Sequence, residues 1–230
     1  MITVIIPYYD NPSMLQKQQA LWKIYSDVIK ENVRFTVIDD GSAIPAESVW
    51  VDTGCDQRLY RMGVDVRWNQ DACRNLGAHK ADTYWLLMTD IDHIVPGLTL
   101  EKLLKVPQQS RAYRLSRLDA PSMKKIKPHP NTWFIARSLF KKIGGYDERF
   151  AGWYGTDGEF AGRVRARSGI HFLNYSVVRY GRSVIADAST TKYERKTAAD
   201  RENIRRIKAE RAAIKGWKPL NLTFPWERVK

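Results

Sequence analysis

Four short apolar runs near the start of the chain constrain its fold more than any other feature of the sequence. They occupy residues 2–6, 35–38, 64–68 and 84–88. The first, second and fourth hold no charged residue, which is typical of strands in a parallel sheet that helices cover on both faces. Helical patterns fill residues 11–30 and 69–81. The alternation predicts an α/β fold.

Acidic residues follow three of these runs directly. Asp10 follows the first run, Asp39 and Asp40 follow the second, and Asp90 and Asp92 follow the fourth. Because ligands of open α/β sheets bind beyond the carboxyl ends of the strands, we expect these loops to border a binding site. Carboxylates suit Mg²⁺ or Mn²⁺, ions that also bridge a diphosphate. Each loop taken alone also fits a turn capped by aspartate.

A stretch rich in glycine and aromatic residues carries a third signal. Residues 144–159 read GGYDERFAGWYGTDGE. Trp153 and Tyr154 offer flat faces on which a sugar stacks. Asp157 begins a predicted helix, where an aspartate fits a general base, a ligand of acceptor hydroxyls or a helix N-cap.

Five motifs occur in a fixed order along residues 1–165, namely IPYYD, VIDDGS, RNLG, TDID and GGYDERF–GWYGTD. Together they resemble the GT-A fold glycosyltransferases, closest to the family 2 group, with a galactosyltransferase-like C-terminal motif. The resemblance implies a Rossmann-like, mixed and mostly parallel sheet flanked by helices. It places a GT-A domain at residues 1–186, with a nucleotide-sugar half at 1–95 and an acceptor half at 96–186. Residues 187–230 are expected to form a basic helical C-terminal extension.

The resemblance also implies which residues bind a nucleotide-sugar donor, with a UDP-sugar favoured. Asp40 is expected to meet the uracil, and Asp90 the ribose or the sugar. The other donor-binding residues that it implies are Pro7, Tyr8, Asp10, Asp39, Arg74 and Asn75.

A divalent cofactor, Mn²⁺ or Mg²⁺, is implied by the same resemblance, with Asp92 as its ligand. Many family members add a later histidine as a metal ligand, and His171 is the only histidine after Asp157. His93 and His129 are the alternatives for a contact with the metal or the diphosphate.

The resemblance makes Asp157 the catalytic base of an inverting transfer from the nucleotide-sugar to a hydroxyl group. Trp153 and Tyr154 are expected to contact the acceptor or the sugar. Thr156 stands where the family usually has glutamate, so the identity of the sugar is open. Glu159 is the nearby carboxylate that would compensate.

The formal net charge of +13 is concentrated in two segments. Residues 111–142 carry nine lysines and arginines against one acid, and residues 190–230 carry twelve against five. Such segments indicate either a polyanionic partner or two solvated faces. The contacts expected with a polyanion are Lys124, Lys125, Lys127, Arg201, Arg205 and Lys208.

The favoured acceptor is a hydroxymethylated pyrimidine in DNA, because basic segments suit a phosphate backbone and Trp133 or Trp153 would hold an extruded base. One alternative is a peripheral enzyme of surface-polysaccharide or lipid-linked glycan synthesis, bound to an anionic membrane surface. That alternative expects exposed apolar residues among the basic ones, such as Ile204, Ile207 and Ile214. A second alternative is a non-catalytic module that binds nucleic acid or carbohydrate.

The sequence also bears on the compartment. No apolar run reaches the roughly 18 residues of a membrane span, and the start MITVIIPYYD lacks the features of a signal peptide. Two cysteines make no disulfide framework. We therefore expect a cytoplasmic protein, in the host cytoplasm if it is encoded by a phage.

Overall fold

The computed structural model describes residues 1–190 and 192–230, and within them one mixed sheet of ten strands forms the centre of the molecule. Its strands are β1 (Ile2–Tyr8), β2 (Val33–Asp39), β3 (Asp56–Met62), β4 (Trp85–Met88), β5 (His93–Ile94), β6 (Ala112–Ala120), β7 (Lys124–Ile126), β8 (Trp133–Ala136), β9 (His171–Tyr180) and β10 (Trp226–Arg228). Their order across the sheet is β10-β3-β2-β1-β4-β8-β6-β9-β5, and β7 pairs with β6.

The helices flank this sheet. They are α1 (Pro12–Lys23), α2 (Asp27–Asn32), α3 (Gln70–Lys80), α4 (Gly97–Leu104), α5 (Arg137–Ile143), α6 (Asp157–Ser168) and α7 (Ala198–Ala212). Local sequence explains several boundaries. Pro12 opens α1, where its missing N–H costs nothing. Thr197 and Asp200 form a capping box at the start of α7, and Gly144 ends α5 in the left-handed conformation.

The first half of the chain builds a parallel block, β3-β2-β1-β4. Every residue of β1 is buried, as its β-branched sequence predicts. Helix α3 packs so closely on this block that a side chain at position 77, where the chain has glycine, would collide with Ile5. The carboxyl ends of β1, β2 and β4 meet at one edge of the sheet, so the three acidic loops meet there too.

The second half extends the sheet with both strand directions. β8 is antiparallel to β4 and to β6, whereas β9 is parallel to β6 and antiparallel to β5. The pairing of β9 with β5 places Arg179 opposite His93, and the Tyr180 N–H donates to the Asp92 carbonyl. The predicted α/β architecture with a mixed sheet and flanking helices is confirmed.

The third strand was predicted at the wrong place. Residues 64–68 form a loop, and the strand is β3, which precedes it. The sequence of β3 is charged because this strand lies near the edge of the sheet, where only β10 lies beyond it. Only part of β3, including Leu59 and Met62, is buried. The alternation of apolar and polar residues in β3 is therefore too weak to predict this strand.

The basic C-terminal extension is less helical than predicted. Within the extension expected over residues 187–230, the one α-helix of the described residues is α7, and residue 191 lies outside the described residues. After α7 the chain returns to the first half, where β10 pairs antiparallel with β3. The division at residue 186 stays a prediction, and the segment after it contributes a strand to the sheet.

Membrane crossing was also considered. In residues 1–190 and 192–230, none of the helices is both long enough and apolar enough to cross a bilayer.

Candidate functional site

A cleft with a volume of about 430 Å³ lies at the carboxyl edge of the parallel block. The loops after β1, β2 and β4 form one side, and residues 129–131 and 153–157 form the other. Predicted site residues that line it are Pro7, Tyr8, Asp40, Asp90, Asp92, Trp153, Tyr154 and Asp157. The fold thus brings residues separated by up to 150 positions in the sequence into one cavity.

One end of the cleft is built around Asp40. This carboxylate is 5% exposed, and its Oδ1 has no hydrogen-bond partner among the described residues. Asn69 lies beside it, fully buried, and neither end of its amide has a partner there. Burial raises the pKa of Asp40 well above its usual range. A buried acceptor left open at a cavity wall suits the polar edge of a ligand.

Aromatic side chains surround this end. Trp68 packs against Tyr154 and Tyr193, with ring centroids 4.8 and 5.9 Å apart. Tyr9 lies 6.0 Å from Tyr193, and all four rings line the cleft. Such faces stack on a base or a sugar.

The other acids of the first two loops brace the backbone. Asp39 accepts hydrogen bonds from the N–H groups of Ser42 and Ala46 and pairs with Arg61 at 2.9 Å. Asp10 accepts from the Ile44 N–H at 2.8 Å. Both carboxylates hold the loop after β2 in shape and neither lines the cleft, so their role as donor ligands stays a prediction.

Asp90 and Asp92 both reach the cleft, and each already contacts basic groups. One oxygen of Asp90 binds the buried guanidinium of Arg74, and the other lies 3.3 Å from Nε2 of His129. Asp92 contacts Nδ1 of His93 at 2.6 Å. Burial lowers the pKa of His129 to about 4, so its ring is neutral at pH 7.

Two arginines from neighbouring strands stand beside these acids. Arg179 lies 3.1 Å from Asp119 and 3.9 Å from Asp92. Arg117 has no carboxylate within ion-pair distance in the described part of the chain. Its one polar contact there is with Nε2 of His93, at 3.5 Å, and its buried Nε is unpaired. Burial and the charge of Arg179 lower the pKa of Arg117.

The side chains of the cleft are poorly arranged to hold a metal ion. In residues 1–190 and 192–230, no group of three or more His, Cys, Asp or Glu side chains is arranged as a set of metal ligands. The oxygens of Asp90 face Arg74 and His129, which compete with a cation for them. His171, the predicted second ligand, begins β9 and packs against Tyr113, whereas the cleft lies at the Arg179 end of that strand.

Asp157 is the first residue of α6 and lines the cleft. Asn131 donates to its Oδ1 at 2.6 Å, which fixes the direction of the carboxylate. The residue therefore has a free face toward the cavity and a held face toward Asn131, as a general base requires.

Asp71 is a residue that the sequence reasoning missed. It is buried on α3, where it pairs with Arg74 at 3.2 Å and accepts from the Thr156 hydroxyl at 3.2 Å. Burial raises its pKa to about 6. A carboxylate thus contacts Thr156, where the family usually has glutamate. The signal in the sequence was the spacing of Asp71 and Arg74, one helical turn apart.

Two further predicted site residues are engaged in contacts within the fold, and their roles at the site stay predictions. Glu159 is bound by Arg163 and Arg211, at 2.7 and 2.5 Å, and serves to hold α7 against α6. Asn75 donates to the Tyr146 carbonyl and to Glu148, so it joins α3 to the GGYDERF motif. Neither lines the cleft, because both are engaged in packing between elements.

A strap of residues 187–195 closes one side of the cleft, and sequence analysis treated it as part of a helix. The structure describes it except for residue 191. Asp187 accepts from the N–H groups of Ser13 and Met14 at the start of α1. Lys192 binds Asp65 at 3.1 Å, and Arg195 lies over the Trp68 ring.

The predicted polyanion contacts are all exposed. Lys124, Lys125 and Lys127 lie on or next to β7, which is followed directly by residues 129–131 of the cleft. Arg201, Arg205 and Lys208 lie on α7, whose Asp200 accepts from the Tyr154 N–H. Trp133 is fully buried beneath the Arg114 guanidinium, so it is not free to hold an extruded base.

No protein-family model and no curated protein sequence matches this chain. Solved structures do match it. A fragment of S. aureus TarS in complex with UDP-GlcNAc superposes with a TM-score of 0.70 at 13% identity, covering 94% of this chain and 68% of that one. The mannosyltransferase PcManGT from Pyrobaculum calidifontis, in complex with GDP-Man and Mn²⁺, gives a TM-score of 0.61 at 16% identity, covering 77% and 56%. These similarities show that the chain has the GT-A fold.

Proposed function

We propose that this protein is a glycosyltransferase that moves a sugar from a nucleotide-sugar to a hydroxyl group. One observation carries the proposal. The buried open carboxylate of Asp40, the pair Asp90 and Asp92, and Asp157 all line one cleft. These groups meet the needs of a base, a sugar diphosphate and an attacking hydroxyl, respectively.

The donor is a UDP-sugar in this proposal. Ionised Asp40 accepts the N3–H of uracil. Trp68 or Tyr9 supplies a face for the ring. The two structural relatives contain UDP-GlcNAc and GDP-Man, so nucleotide-sugars of this kind fit the fold. Guanine also presents an N–H beside a carbonyl, so GDP-sugars are the competing donors to assay.

The transfer follows from the position of Asp157. The acceptor oxygen attacks the anomeric carbon as its proton passes to Asp157, and the bond from that carbon to the diphosphate oxygen breaks with its electron pair. A single displacement inverts the configuration. Asn131 orients the base, while Arg74 fixes Asp90 against the donor. A general base of this kind contributes about 10²- to 10⁴-fold in rate.

The predicted Mn²⁺ or Mg²⁺ enters no step of this mechanism, because the donor set around Asp92 does not assemble a protein-held metal. A divalent ion stays a prediction that rests on the sequence resemblance. PcManGT contains Mn²⁺ in its complex. Activity with and without a chelator therefore belongs in the first assay.

A hydroxymethylated pyrimidine in DNA is the proposed acceptor. Both basic segments connect to the same side of the cleft, one through residues 129–131 and the other through Asp200 and Tyr154. Trp153 remains available in the cleft as a face for an extruded base. This acceptor implies the cytoplasm, that of the host if a phage encodes the protein.

The alternative acceptor is a lipid-linked or surface glycan at an anionic membrane. It expects apolar side chains exposed among the basic ones, but Ile207 is buried and packs inward from α7. Ile214 is exposed beyond the end of that helix. One exposed isoleucine is a weak anchor, so the structure offers less support for this alternative. A non-catalytic binding module would need neither Asp157 nor Asn131.

The test is nucleoside mass spectrometry. Purified protein is incubated with UDP- and GDP-sugars and hydroxymethylated duplex DNA, with Mn²⁺ or with EDTA, and the DNA is digested. A sugar mass on the modified nucleoside, lost in Asp157→Asn, is expected. Donor hydrolysis without added mass moves the acceptor to glycans. If the protein neither hydrolyses a donor nor binds a nucleotide, the proposal that it is a glycosyltransferase is contradicted.

A further inference from the structure

Arg117 is a cationic group of the cleft that the proposed mechanism leaves unused. It projects from β6 into the cavity, and its backbone pairs with Val177 of β9, two residues before Arg179. Arg179 is shared between Asp92 and Asp119, whereas Arg117 has no acidic partner in the described residues. The charges of these two adjacent arginines are only partly neutralised. This raises the free energy of the folded protein unless an anion binds between them.

The surroundings of Arg117 leave room for such an anion. Its Nε is buried without a partner, and its only other polar contact in the described chain is the long one to His93. Burying a charged donor without an acceptor costs free energy. The unpaired Nε of Arg117 is therefore expected to donate to an atom of a ligand. The donor fork of a guanidinium matches the paired oxygens of a phosphate.

The position of the two arginines in the cleft indicates which anion they bind. Both arginines line the same cavity as Asp40 and Asp90, with Asp92 beside Arg179. In the proposed function, the diphosphate of the donor occupies the stretch between the base end and Asp157. We propose that Arg117, with Arg179 beside it, binds that diphosphate and balances the charge that develops on it as the sugar leaves. This inference rests on the proposed function.

The inference also accounts for the poor metal fit. Arg74 and His129 occupy the oxygens of Asp90, so that carboxylate is directed toward protein groups and away from a metal ion. The charge of a departing diphosphate needs a positive group in the cavity. Arg117 and Arg179 supply it from rigid strands, where their guanidinium groups are already in place.

The test compares ligands that differ only in phosphate. Dissociation constants for UDP and uridine are measured by calorimetry, in EDTA, for wild type, Arg117→Gln and Arg179→Gln. UDP binding is expected in EDTA, weakened about tenfold or more in each variant, because a charged hydrogen bond is worth at least that factor. Uridine binding is expected to stay unchanged.

Two controls keep the result interpretable. Arg167→Gln removes the same charge from an exposed position of α6 and is expected to bind UDP like wild type. Arg117→Lys retains the charge but loses the fork, and intermediate UDP affinity is expected. Thermal unfolding of each variant identifies any that fails to fold, in which case Arg117→Lys decides the outcome.

The outcomes separate the two proposals. UDP binding that requires Mn²⁺, with unchanged affinity in both arginine variants, overturns the phosphate site and leaves the glycosyltransferase standing. Weaker DNA binding with unchanged UDP affinity overturns it too, because the arginines would then hold acceptor phosphate. Failure of uridine and UDP alike to bind wild type counts against the proposed function itself.

Discussion

At the scale of single residues, the chemistry of the cleft depends on how each carboxylate is held. Asp39, Asp40 and Asp90 all follow buried strands, yet their environments differ completely. Asp39 accepts hydrogen bonds from backbone N–H groups and from Arg61. Asp90 is fixed by Arg74. Asp40 alone among the three keeps a buried oxygen unpaired among the described residues, so it is the one left for a ligand.

The first prediction concerns Asp157. Replacing it with Asn keeps the shape and the contact with Asn131 but removes the proton acceptor. We expect sugar transfer to fall at least about 10²-fold, the lower end for a general base, with UDP affinity unchanged. Steady-state kinetics and calorimetry on the same preparation measure both. Equal loss of binding and turnover would show that Asp157 holds the donor instead.

The second prediction concerns pH. Burial raises the pKa of Asp40, so its ionised fraction, which accepts the uracil N3–H, grows as pH rises through that raised value. Uridine affinity is therefore expected to increase from acidic toward neutral and basic pH. Asp40→Asn should bind more weakly and with a flat profile below neutrality. Calorimetric titration across pH 5 to pH 8 is the measurement, and a profile that stays steep in Asp40→Asn would assign the titration to another group.

At the scale of elements, the strap and α1 act together. The carboxylate of Asp187 accepts from the first N–H groups of α1 and so serves as a cap contributed from a distant segment. The Thr190 hydroxyl donates to the Tyr9 carbonyl on the floor of the cleft. The same residues thus tie the strap to the donor end of the site.

A third prediction follows at this scale. Asp187→Ala is expected to lower the free energy of unfolding by about 1 kcal/mol, the usual value for a lost helix cap, and to raise the KM for the donor by loosening the strap. Urea denaturation and donor kinetics measure the two effects. Glu202→Ala, an exposed substitution on α7, is the control. A stability loss with unchanged KM would reduce Asp187 to a cap alone.

At the scale of the whole molecule, Glu148 joins three distant parts of the chain. It is 4% exposed and accepts hydrogen bonds from Asn75 on α3 and from the N–H groups of Leu222 and Thr223. From there the C-terminal segment continues to β10 and covers β3. The GGYDERF motif thus anchors the chain end that protects the edge of the sheet.

The fourth prediction tests this anchor. Glu148→Gln places an amide N–H₂ among N–H donors, and a buried group left unsatisfied costs about 1–3 kcal/mol. We expect a loss of that size in the free energy of unfolding, measured by urea denaturation. The exposed Glu202→Gln should change it little. An unchanged midpoint in Glu148→Gln would mean that the C-terminal segment is held mainly by β10.

Local sequence was sufficient for three strands of the parallel block. β1, β2 and β4 are apolar enough to be identified directly, and α3 and α6 lie close to their predicted positions. β3 and α7 were misplaced, because the first is a charged strand near an edge and the second follows a polar strap that has no periodic pattern of its own. Packing against distant partners decides such segments.

The sequence by itself determined the α/β fold and the placing of Asp40, Asp90, Asp92 and Asp157 at the carboxyl ends or helix start, because these follow from strand pattern and chain order. Only the tertiary structure decided which carboxylates remain open. Hydrogen bonds from residues tens of positions away engage Asp10, Asp39 and Glu159. The same long-range packing brought Arg117 beside Arg179 from different strands, a proximity that no local pattern encodes.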